Sequence, residues 1–273
     1  MNTPLIKWTG SKRPLATKII SYFPKTIETY YEPFLGGGSV FFELLRSDIK
    51  VKNYELSDKN ESLIEVFKIV KDNPDDLILS YKDHWEKLQK DSEYFYTQRD
   101  YYNRTKDPLS FYFLTRTCYN GTIRYNKHGD FNTSHHFGRP GMIPRKISEI
   151  IKYYSNLMKN KDINFRIESF VNISPNNNSD VLYLAPPYTN TKALYFGNIS
   201  INELKVWLNK IKCSWFMNIN GVNSTDNEEN IDIVYTAKEL LTSGNSSFSR
   251  IKGKNVNVKE YFYYKMVNNE SII

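Results

Sequence analysis

Cysteine is scarce in this chain, and its two cysteines form no recognisable pattern. Cys118 and Cys213 are the only two among 273 residues, and neither belongs to a Cys-x-x-Cys pair. No cluster of cysteines and histidines has the ligand spacing of a zinc site, so we expect no metal centre. A disulfide framework is not expected either, and this cysteine content is typical of a reducing, intracellular setting.

Long apolar runs are also missing. No stretch of about 18 consecutive apolar residues occurs, so the sequence predicts no membrane-spanning helix. The first residues, "MNTPLIKWTGSKRPL", contain charged side chains where an export signal would carry its apolar segment. Internal repeats are absent as well. We therefore predict a protein that is neither exported nor inserted into a membrane.

Basic and aromatic residues are what the chain has in excess. The formal net charge is +7, the pI is about 9.1, and 21 tyrosines help to raise the aromatic content to 15%. Basic side chains contact phosphates and aromatic rings stack on bases, so this composition suits a nucleic acid partner. A protein surface with surplus lysine and no such partner is the alternative, because net charge bears on non-specific association and not on fold.

Alternating β-type and helical patterns predict an α/β fold. The segments "ETYYEPF", "LGGGSVFFELLR" and "KVKNYELSD" indicate a strand, a glycine turn opening a helix, and a second strand. Such a βαβ unit requires a parallel sheet. We predict a Rossmann-like sheet domain formed by residues 1–59 and 165–273. A second, mainly helical domain of residues 60–164 is inserted into it, because the pattern there is helical, charged and aromatic.

The glycine turn and Asp58 mark the carboxyl ends of two predicted strands. Gly36, Gly37 and Gly38 have no side chain to separate the backbone from a ligand. The turn is neither the dinucleotide-binding Gly-x-Gly-x-x-Gly motif nor a phosphate-binding loop, so a simple tight connection is the alternative. Asp58 follows about 20 positions later, where an acidic residue can bind ribose hydroxyls. Capping of the next helix is its alternative role.

The stretch "VLYLAPPYTN" ends a predicted strand in a rigid turn. Pro186 and Pro187 stop the strand and present Tyr188 beside the carboxyl end of the sheet. An aromatic face next to main-chain carbonyl acceptors is what an extruded base needs. An ordinary proline turn is the alternative reading of this stretch.

Five segments taken together resemble a known family. They are "KWTGSK" at 7–12, "PFLGGGSVFF" at 33–42, "SDKN" at 57–60, "RTCYNGTIRYNKHGDFN" at 116–132 and "APPY" at 185–188. Their order is similar to that of the Dam-type (D12 class) DNA adenine-N6 methyltransferases, which run from a cofactor motif through a recognition domain to a catalytic motif. Each segment is a weak signal, but the five in order cover nearly the whole chain. The resemblance implies an S-adenosylmethionine-dependent methyltransferase that flips adenine out of duplex DNA.

The resemblance also implies a cofactor site for S-adenosylmethionine, whose product is S-adenosylhomocysteine. Trp8 and Lys12 would lie at this site, with Lys12 also near the target base. Asp58 would bind the ribose. The remaining cofactor-site positions implied by the family pattern are Phe34, Gly36, Gly37, Gly38 and Ala185.

The catalytic motif departs from the family at its first residue. The family has Asp-Pro-Pro-Tyr, whereas this chain has Ala185 before Pro186, Pro187 and Tyr188. By the resemblance, Tyr188 stacks on the flipped adenine and the carbonyl of Pro186 accepts a hydrogen bond from its amino group. The missing carboxylate would help the adenine nitrogen to become tetrahedral, and losing a contact of this kind costs about 10²–10³ in rate. We therefore predict binding with scarcely any methylation, whether the alanine is natural or an inactivating substitution.

The segment "RTCYNGTIRYNKHGDFN" is the implied DNA-recognition element. Arg124 is the candidate for a base contact, because its guanidinium matches O6 and N7 of guanine. Tyr119 and Asn120 match family positions that fill the gap left by the flipped base. The candidate phosphate contacts are Arg116, Asn126, Lys127, Arg139 and, in a late basic segment, Arg250, Lys252 and Lys254. A solvated loop and an ordinary basic hairpin are the alternatives for these two segments.

Double-stranded DNA with a short adenine-containing site is thus the expected partner. The run "FNTSHHFGRPGMIP" differs from the Phe-Asn-Val-Pro run of bacterial GATC enzymes, which speaks against a GATC target. A cognate restriction endonuclease would fit a restriction-modification role, and we expect a monomer or weak dimer. Two other functions stay open: a non-catalytic protein that binds DNA and cofactor, and a methyltransferase acting on RNA or a protein amide.

Overall fold

The fold was examined in a computed structural model that describes residues 3–138, 141–187, 201–220, 237–243 and 258–267. The strands are β1 (Thr26–Glu32), β2 (Lys50–Asp58), β3 (Asp162–Ile167), β4 (Val181–Leu184), β5 (Ser214–Asn220), β6 (Ala237–Ser243) and β7 (Val258–Lys265). The helices are α1 (Ala16–Ile20), α2 (Ser39–Arg46), α3 (Glu61–Asp72), α4 (Pro74–Lys90), α5 (Tyr94–Thr105), α6 (Pro108–Thr117), α7 (Pro144–Met158) and α8 (Ile201–Leu208). None of the described helices has the length and apolar character needed to cross a membrane.

The seven strands form one sheet in the order β3-β2-β1-β4-β5-β7-β6. The first five strands of this order run parallel, and β7 pairs antiparallel with both β5 and β6. Because β1 has β2 on one side and β4 on the other, the strand order reverses between β1 and β4. This reversal is the topological switch point at which α/β sheets bind their ligands. The predicted Rossmann-like α/β class is confirmed.

Strand β4 lies at the centre of the sheet and is buried on both faces. All four of its residues, the "VLYL" run, are buried, as expected for a parallel strand covered on both sides. Its neighbours β1 and β5 fix its register, with Leu182 opposite both Tyr31 and Trp215. The residues that follow β4 therefore leave the sheet from a well-defined position.

The boundary predicted at residue 164 lies inside a strand. β3 begins at Asp162 and pairs along its whole length with β2, so the sheet begins again earlier than the sequence pattern indicated. Helix α3 also belongs to the sheet layer, because the ring of Phe67 stacks on Phe165 of β3 with centroids 5.4 Å apart. The part of the predicted insert that stands away from the sheet is thus shorter than residues 60–164.

Residues 118–136 form a hairpin, which contains most of the implied DNA-recognition segment at 116–132. Bridges join Cys118 to His135 and Tyr125 to Phe131, and the main-chain amide of Asn126 donates to the carbonyl of Asp130 across its tip. Helix α5 anchors the hairpin, since the Asn103 carboxamide accepts from the amide of Phe131 and donates to its carbonyl, at 2.8 and 3.1 Å. We refer to residues 118–136 as the 118–136 hairpin.

Candidate functional site

A cleft opens at the carboxyl ends of β1, β2 and β4, at the switch point of the sheet. The space between its walls, open solvent included, is about 950 Å³. The segment before α1, the glycine turn, the ends of β2 and β4, and the 118–136 hairpin all contribute to its walls. The cleft brings together Trp8, Lys12, Phe34, Gly36, Gly37, Asp58, Ala185, Pro186 and Pro187, which the sequence had placed at the cofactor and catalytic sites.

The glycine turn is shaped by Trp8. Gly36 and Gly38 have φ values of +47° and +65°, in the left-handed region that favours glycine. A Cβ on Gly36 would lie 2.7 Å from Nε1 of Trp8, and one on Gly37 would lie 2.9 Å from the Cβ of Trp8. Glycine is therefore required at positions 36 and 37 because the side chain of Trp8 packs closely against the turn. Trp8 itself forms part of the cleft wall.

Asp58 is held in place by main-chain amides. Its Oδ2 accepts from the amide of Gly36 and its Oδ1 from the amide of Asn60, each at 3.0 Å. Burial raises the pKa of Asp58 above its ordinary value, while these two hydrogen bonds and one from the amide of Lys59 oppose the increase. The helix-capping alternative is wrong for Asp58, because the side chain that caps α3 is that of Asn60.

The segment before α1 closes one side of the cleft. Lys12 is 6% exposed, and its Nζ donates to the carbonyl of Gly10 at 3.0 Å. The hydroxyl of Ser11 lies 2.6 Å from that of Ser39, the first residue of α2. A buried lysine thus contributes positive charge to the cleft from a segment tied to the helix after the glycine turn.

The turn after β4 reaches the cleft, and its first residue has no functional group. Ala185 is half-buried, Pro186 is buried, and both line the cleft together with Pro187. The preceding Tyr183 also lines the cleft, and its hydroxyl lies 3.0 Å from Oδ1 of the buried Asn218. Tyr188 lies outside the described residues.

Glu32, Phe170 and Tyr125 are among the lining residues that were not singled out in the sequence. Glu32, the last residue of β1, is 2% exposed and accepts a hydrogen bond from the hydroxyl of Tyr30 at 2.7 Å. Burial raises the pKa of Glu32 to about 8, against the hydrogen bond from Tyr30. Phe170 faces Phe34 with ring centroids 5.4 Å apart, and Tyr125 enters from the 118–136 hairpin. Glu32 could have been found by the reasoning applied to Asp58, since it too ends a strand at the switch point.

The outer face of the 118–136 hairpin is basic and aromatic. Arg124 and Lys127 are exposed, and Nε of Arg124 donates to Oδ1 of Asn132 at 2.8 Å. Tyr119 is 50% exposed and stacks on His136 with centroids 4.9 Å apart. Asn120 is exposed as well and adopts a left-handed conformation with φ +54°. Arg124 is the side chain predicted to contact a base, and Tyr119 and Asn120 are those predicted to fill the gap left by the flipped base.

Two of the predicted phosphate contacts, Arg116 and Asn126, form hydrogen bonds within the protein. Arg116 is 2% exposed, and its guanidinium donates to the carbonyls of Pro4 and Leu5, so it cannot reach a phosphate at the surface. Asn126 organises the hairpin tip, because its Oδ1 accepts from the amides of His128 and Asp130. The remaining candidates Arg139, Arg250, Lys252 and Lys254 lie outside the described residues.

Comparison with known proteins identifies the family. Residues 8–206 match the family model described as D12 class N6 adenine-specific DNA methyltransferase. The chain belongs to this family. The matched range begins at Trp8 and extends through the glycine turn, the 118–136 hairpin and the Ala-Pro-Pro turn, so it includes every wall of the cleft.

Curated relatives are identical to this chain at about a third of the aligned positions. It is 34% identical over 206 residues to the Type II methyltransferase M.MjaIII of Methanocaldococcus jannaschii. This alignment covers 68% of each of the two chains. It is 33% identical over 192 residues to a DNA adenine methylase of Salmonella typhi and 32% identical to that of Escherichia coli K12. These two alignments cover 68% of this chain and 65% of each methylase.

Proposed function

We propose that this chain binds S-adenosylmethionine in the cleft and duplex DNA at the 118–136 hairpin, as an adenine-specific DNA methyltransferase does. The observation that carries this proposal is the meeting of the glycine turn, Asp58 and the Ala-Pro-Pro turn at one switch point, beside a basic and aromatic hairpin. The names of the relatives, which are DNA adenine methylases and Type II methyltransferases, support it.

The residues of the cleft fit the proposed cofactor. The carboxylate of Asp58 can accept hydrogen bonds from ribose hydroxyls, as an acidic residue at this point of a Rossmann-like sheet does. The half-buried ring of Phe34, which packs against Phe170, offers aromatic surface for an adenine ring. When bound, the cofactor supplies an electrophilic methyl group. Among the described residues there is no group of three or more metal-ligating side chains that would add a metal ion to this site.

Ala185 limits what the site can catalyse. The amino group of adenine is a poor nucleophile, because its lone pair is delocalised into the ring. An acceptor at position 185 would take a hydrogen bond from this amino group and direct the lone pair outward. The methyl side chain of alanine cannot accept a hydrogen bond, and Pro186 and Pro187 offer only main-chain carbonyls. We therefore propose that this chain binds both ligands and scarcely transfers the methyl group.

The substitution Ala185→Asp tests this proposal. The purified chain and the variant are incubated with radiolabelled S-adenosylmethionine and DNA from an unmethylated host, and label in adenine is counted. We expect the variant to exceed the unaltered chain by at least about 10², the cost of losing such a contact. Mapping the methylated adenines by sequencing then gives the target site.

Ala185→Leu is the matched control, because leucine adds similar bulk without an acceptor. It should stay as inactive as the unaltered chain. If Ala185→Asp gains no activity although it folds and binds S-adenosylhomocysteine, the assignment of position 185 is wrong.

A non-catalytic role is the second candidate, and Ala185 is the observation that favours it. A chain that keeps the cleft and the hairpin but lacks the carboxylate can occupy DNA sites without modifying them. Retention of DNA and S-adenosylhomocysteine binding by the unaltered chain, with no label transferred, is the result expected of this candidate. Preference for RNA or for a protein amide over duplex DNA would contradict both candidates.

A further inference from the structure

One strand of the 118–136 hairpin has two faces with different surroundings. Arg124 is exposed, whereas the next residue, Tyr125, is 5% exposed and lines the cleft. Successive side chains of a strand point to opposite sides. The segment that carries the proposed base contact therefore also forms part of the wall of the proposed cofactor site.

Three hydrogen bonds connect Tyr125 to the glycine turn. The hydroxyl of Tyr125 accepts from Nδ2 of Asn60 at 2.9 Å, and the main-chain amide of Asn60 donates to Oδ1 of Asp58 at 3.0 Å. The other oxygen, Oδ2, accepts from the amide of Gly36 at 3.0 Å. The hairpin is thus joined to the carboxylate at the ribose position through one intervening residue.

The orientation of Asn60 is fixed by its second contact. Its Oδ1 accepts from the amide of Leu63 at 3.0 Å and caps the amino terminus of α3. Rotating the carboxamide by half a turn would break this cap as well as the bond to Tyr125. Asn60 is 5% exposed, so neither its Nδ2 nor its Oδ1 could exchange its protein partner for water without a loss of stability. A displacement of the Tyr125 hydroxyl therefore shifts Asn60. Through the main-chain amide of Asn60, it also shifts the carboxylate of Asp58.

The side chains of Arg124 and Tyr125 both contact the opposite arm of the hairpin. Asn132 holds the Arg124 guanidinium through Nε at 2.8 Å and, through its carbonyl, Nη2 at 3.4 Å. The ring of Tyr125 packs edge-on against Phe131, with centroids 6.1 Å apart. A DNA contact made by Arg124 therefore acts on a segment in which the side chains of both Arg124 and Tyr125 are held in place.

We infer that Tyr125 is a positioning residue that couples DNA contact at the 118–136 hairpin to cofactor binding at Asp58. The inference rests on the proposed function, because it requires both ligands. Coupling between two binding sites is reciprocal, so each ligand must strengthen the other by the same factor. Loss of one buried hydrogen bond is enough to change that factor about fivefold.

The test measures this factor in the unaltered chain and in Tyr125→Phe, which removes only the hydroxyl. The dissociation constant of S-adenosylhomocysteine is determined by calorimetry, alone and with saturating fragments of unmethylated DNA. We expect DNA to tighten binding at least about fivefold in the unaltered chain and less than about twofold in the variant. Using the ratio removes any effect of the substitution on cofactor affinity itself.

Tyr81→Phe is the matched control. Tyr81 is 1% exposed and donates to the carbonyl of Met142 at 2.7 Å, so this variant also removes a buried, hydrogen-bonded tyrosine hydroxyl, but away from the cleft. Its ratio should equal that of the unaltered chain. The reverse measurement, DNA affinity with and without S-adenosylhomocysteine, must return the same factor for each protein.

The possible outcomes distinguish a failure of the proposed coupling from a failure of the proposed function. If the unaltered chain binds neither ligand, the proposed function is wrong and the coupling falls with it. If it binds both ligands independently, or if Tyr125→Phe keeps the full factor, the role of Tyr125 is wrong and the proposed function stands. A loss of coupling in Tyr81→Phe as large as in Tyr125→Phe would also overturn the inference, since the effect would then be a general one of stability.

Discussion

Glu32 and Ala185 occupy comparable positions on neighbouring strands, and they offer the cleft very different chemistry. Glu32 is the last residue of β1, and Ala185 is the first residue after β4. Glu32 carries a buried carboxyl group whose raised pKa of about 8 favours the protonated form near neutral pH, and Ala185 has no polar group at all. A charged carboxylate at Glu32 therefore does not supply the acceptor that the proposed mechanism requires at position 185.

The raised pKa of Glu32 predicts a pH dependence of stability. Its value of about 8 in the folded chain lies above the ordinary 4.5, so the folded state binds more protons. The contribution of protonated Glu32 to stability is complete below pH 4.5 and is lost as the pH rises through about 8. Relative to Glu32→Gln, the unaltered chain should lose up to about 1.4 kcal/mol of unfolding free energy per pH unit in this window. Urea unfolding of both proteins at pH 5.5, 6.5 and 7.5 measures this; parallel pH profiles would contradict it.

At the scale of elements, local patterns predicted the sheet better than the insert. The segment predicted as the second strand, "KVKNYELSD", matches β2, because its alternation is strong and a turn bounds it on both sides. The 118–136 hairpin could not be predicted in the same way, since its anchor is Asn103, 28 positions before Phe131. The site residues on strand ends and turns could be found from sequence. Tyr125 could not, because its inward direction depends on these distant contacts.

The anchor itself gives a prediction for the hairpin as a unit. Asn103→Ala removes both hydrogen bonds to the main chain of Phe131, and each buried group left unpaired costs roughly 1–3 kcal/mol. We expect the amides of the 118–136 hairpin to exchange faster with solvent and DNA affinity to fall about tenfold, which equals roughly 1.4 kcal/mol. Hydrogen exchange and fluorescence anisotropy measure the two effects.

Asn156→Ala provides the comparison for this anchor, because Asn156 is an exposed asparagine of α7. It should leave both readings unchanged. Unaltered exchange in Asn103→Ala would show that the hairpin holds its shape without this helix.

For the whole molecule, the positive charge determines how binding responds to salt. Each phosphate contact contributes about 0.9 to the slope of log affinity against log salt concentration. Lys127, exposed at the hairpin tip, is the remaining described candidate for a phosphate contact from the sequence. The other basic residues add to the general attraction between the protein and DNA. This attraction could be predicted from the sequence composition alone.

Replacing Lys127 by alanine should therefore reduce the salt slope of DNA binding by about 1. Lys90→Ala is the control, since Lys90 is an exposed lysine at the end of α4. Anisotropy titrations between 50 and 200 mM salt, the range over which such slopes are resolved, measure both variants. Equal slopes in Lys127→Ala and the unaltered chain would remove the hairpin tip from the DNA interface.

The buried centre of the sheet has a consequence for how position 185 can vary. Because β4 is enclosed on both faces and two prolines fix the turn after it, the backbone at Ala185 does not depend on the side chain that stands there. An aspartate at position 185 would therefore be presented to the cleft by the same backbone as the alanine is. A single side chain, and not the fold around it, then decides whether the end of β4 offers a carboxylate to the cleft.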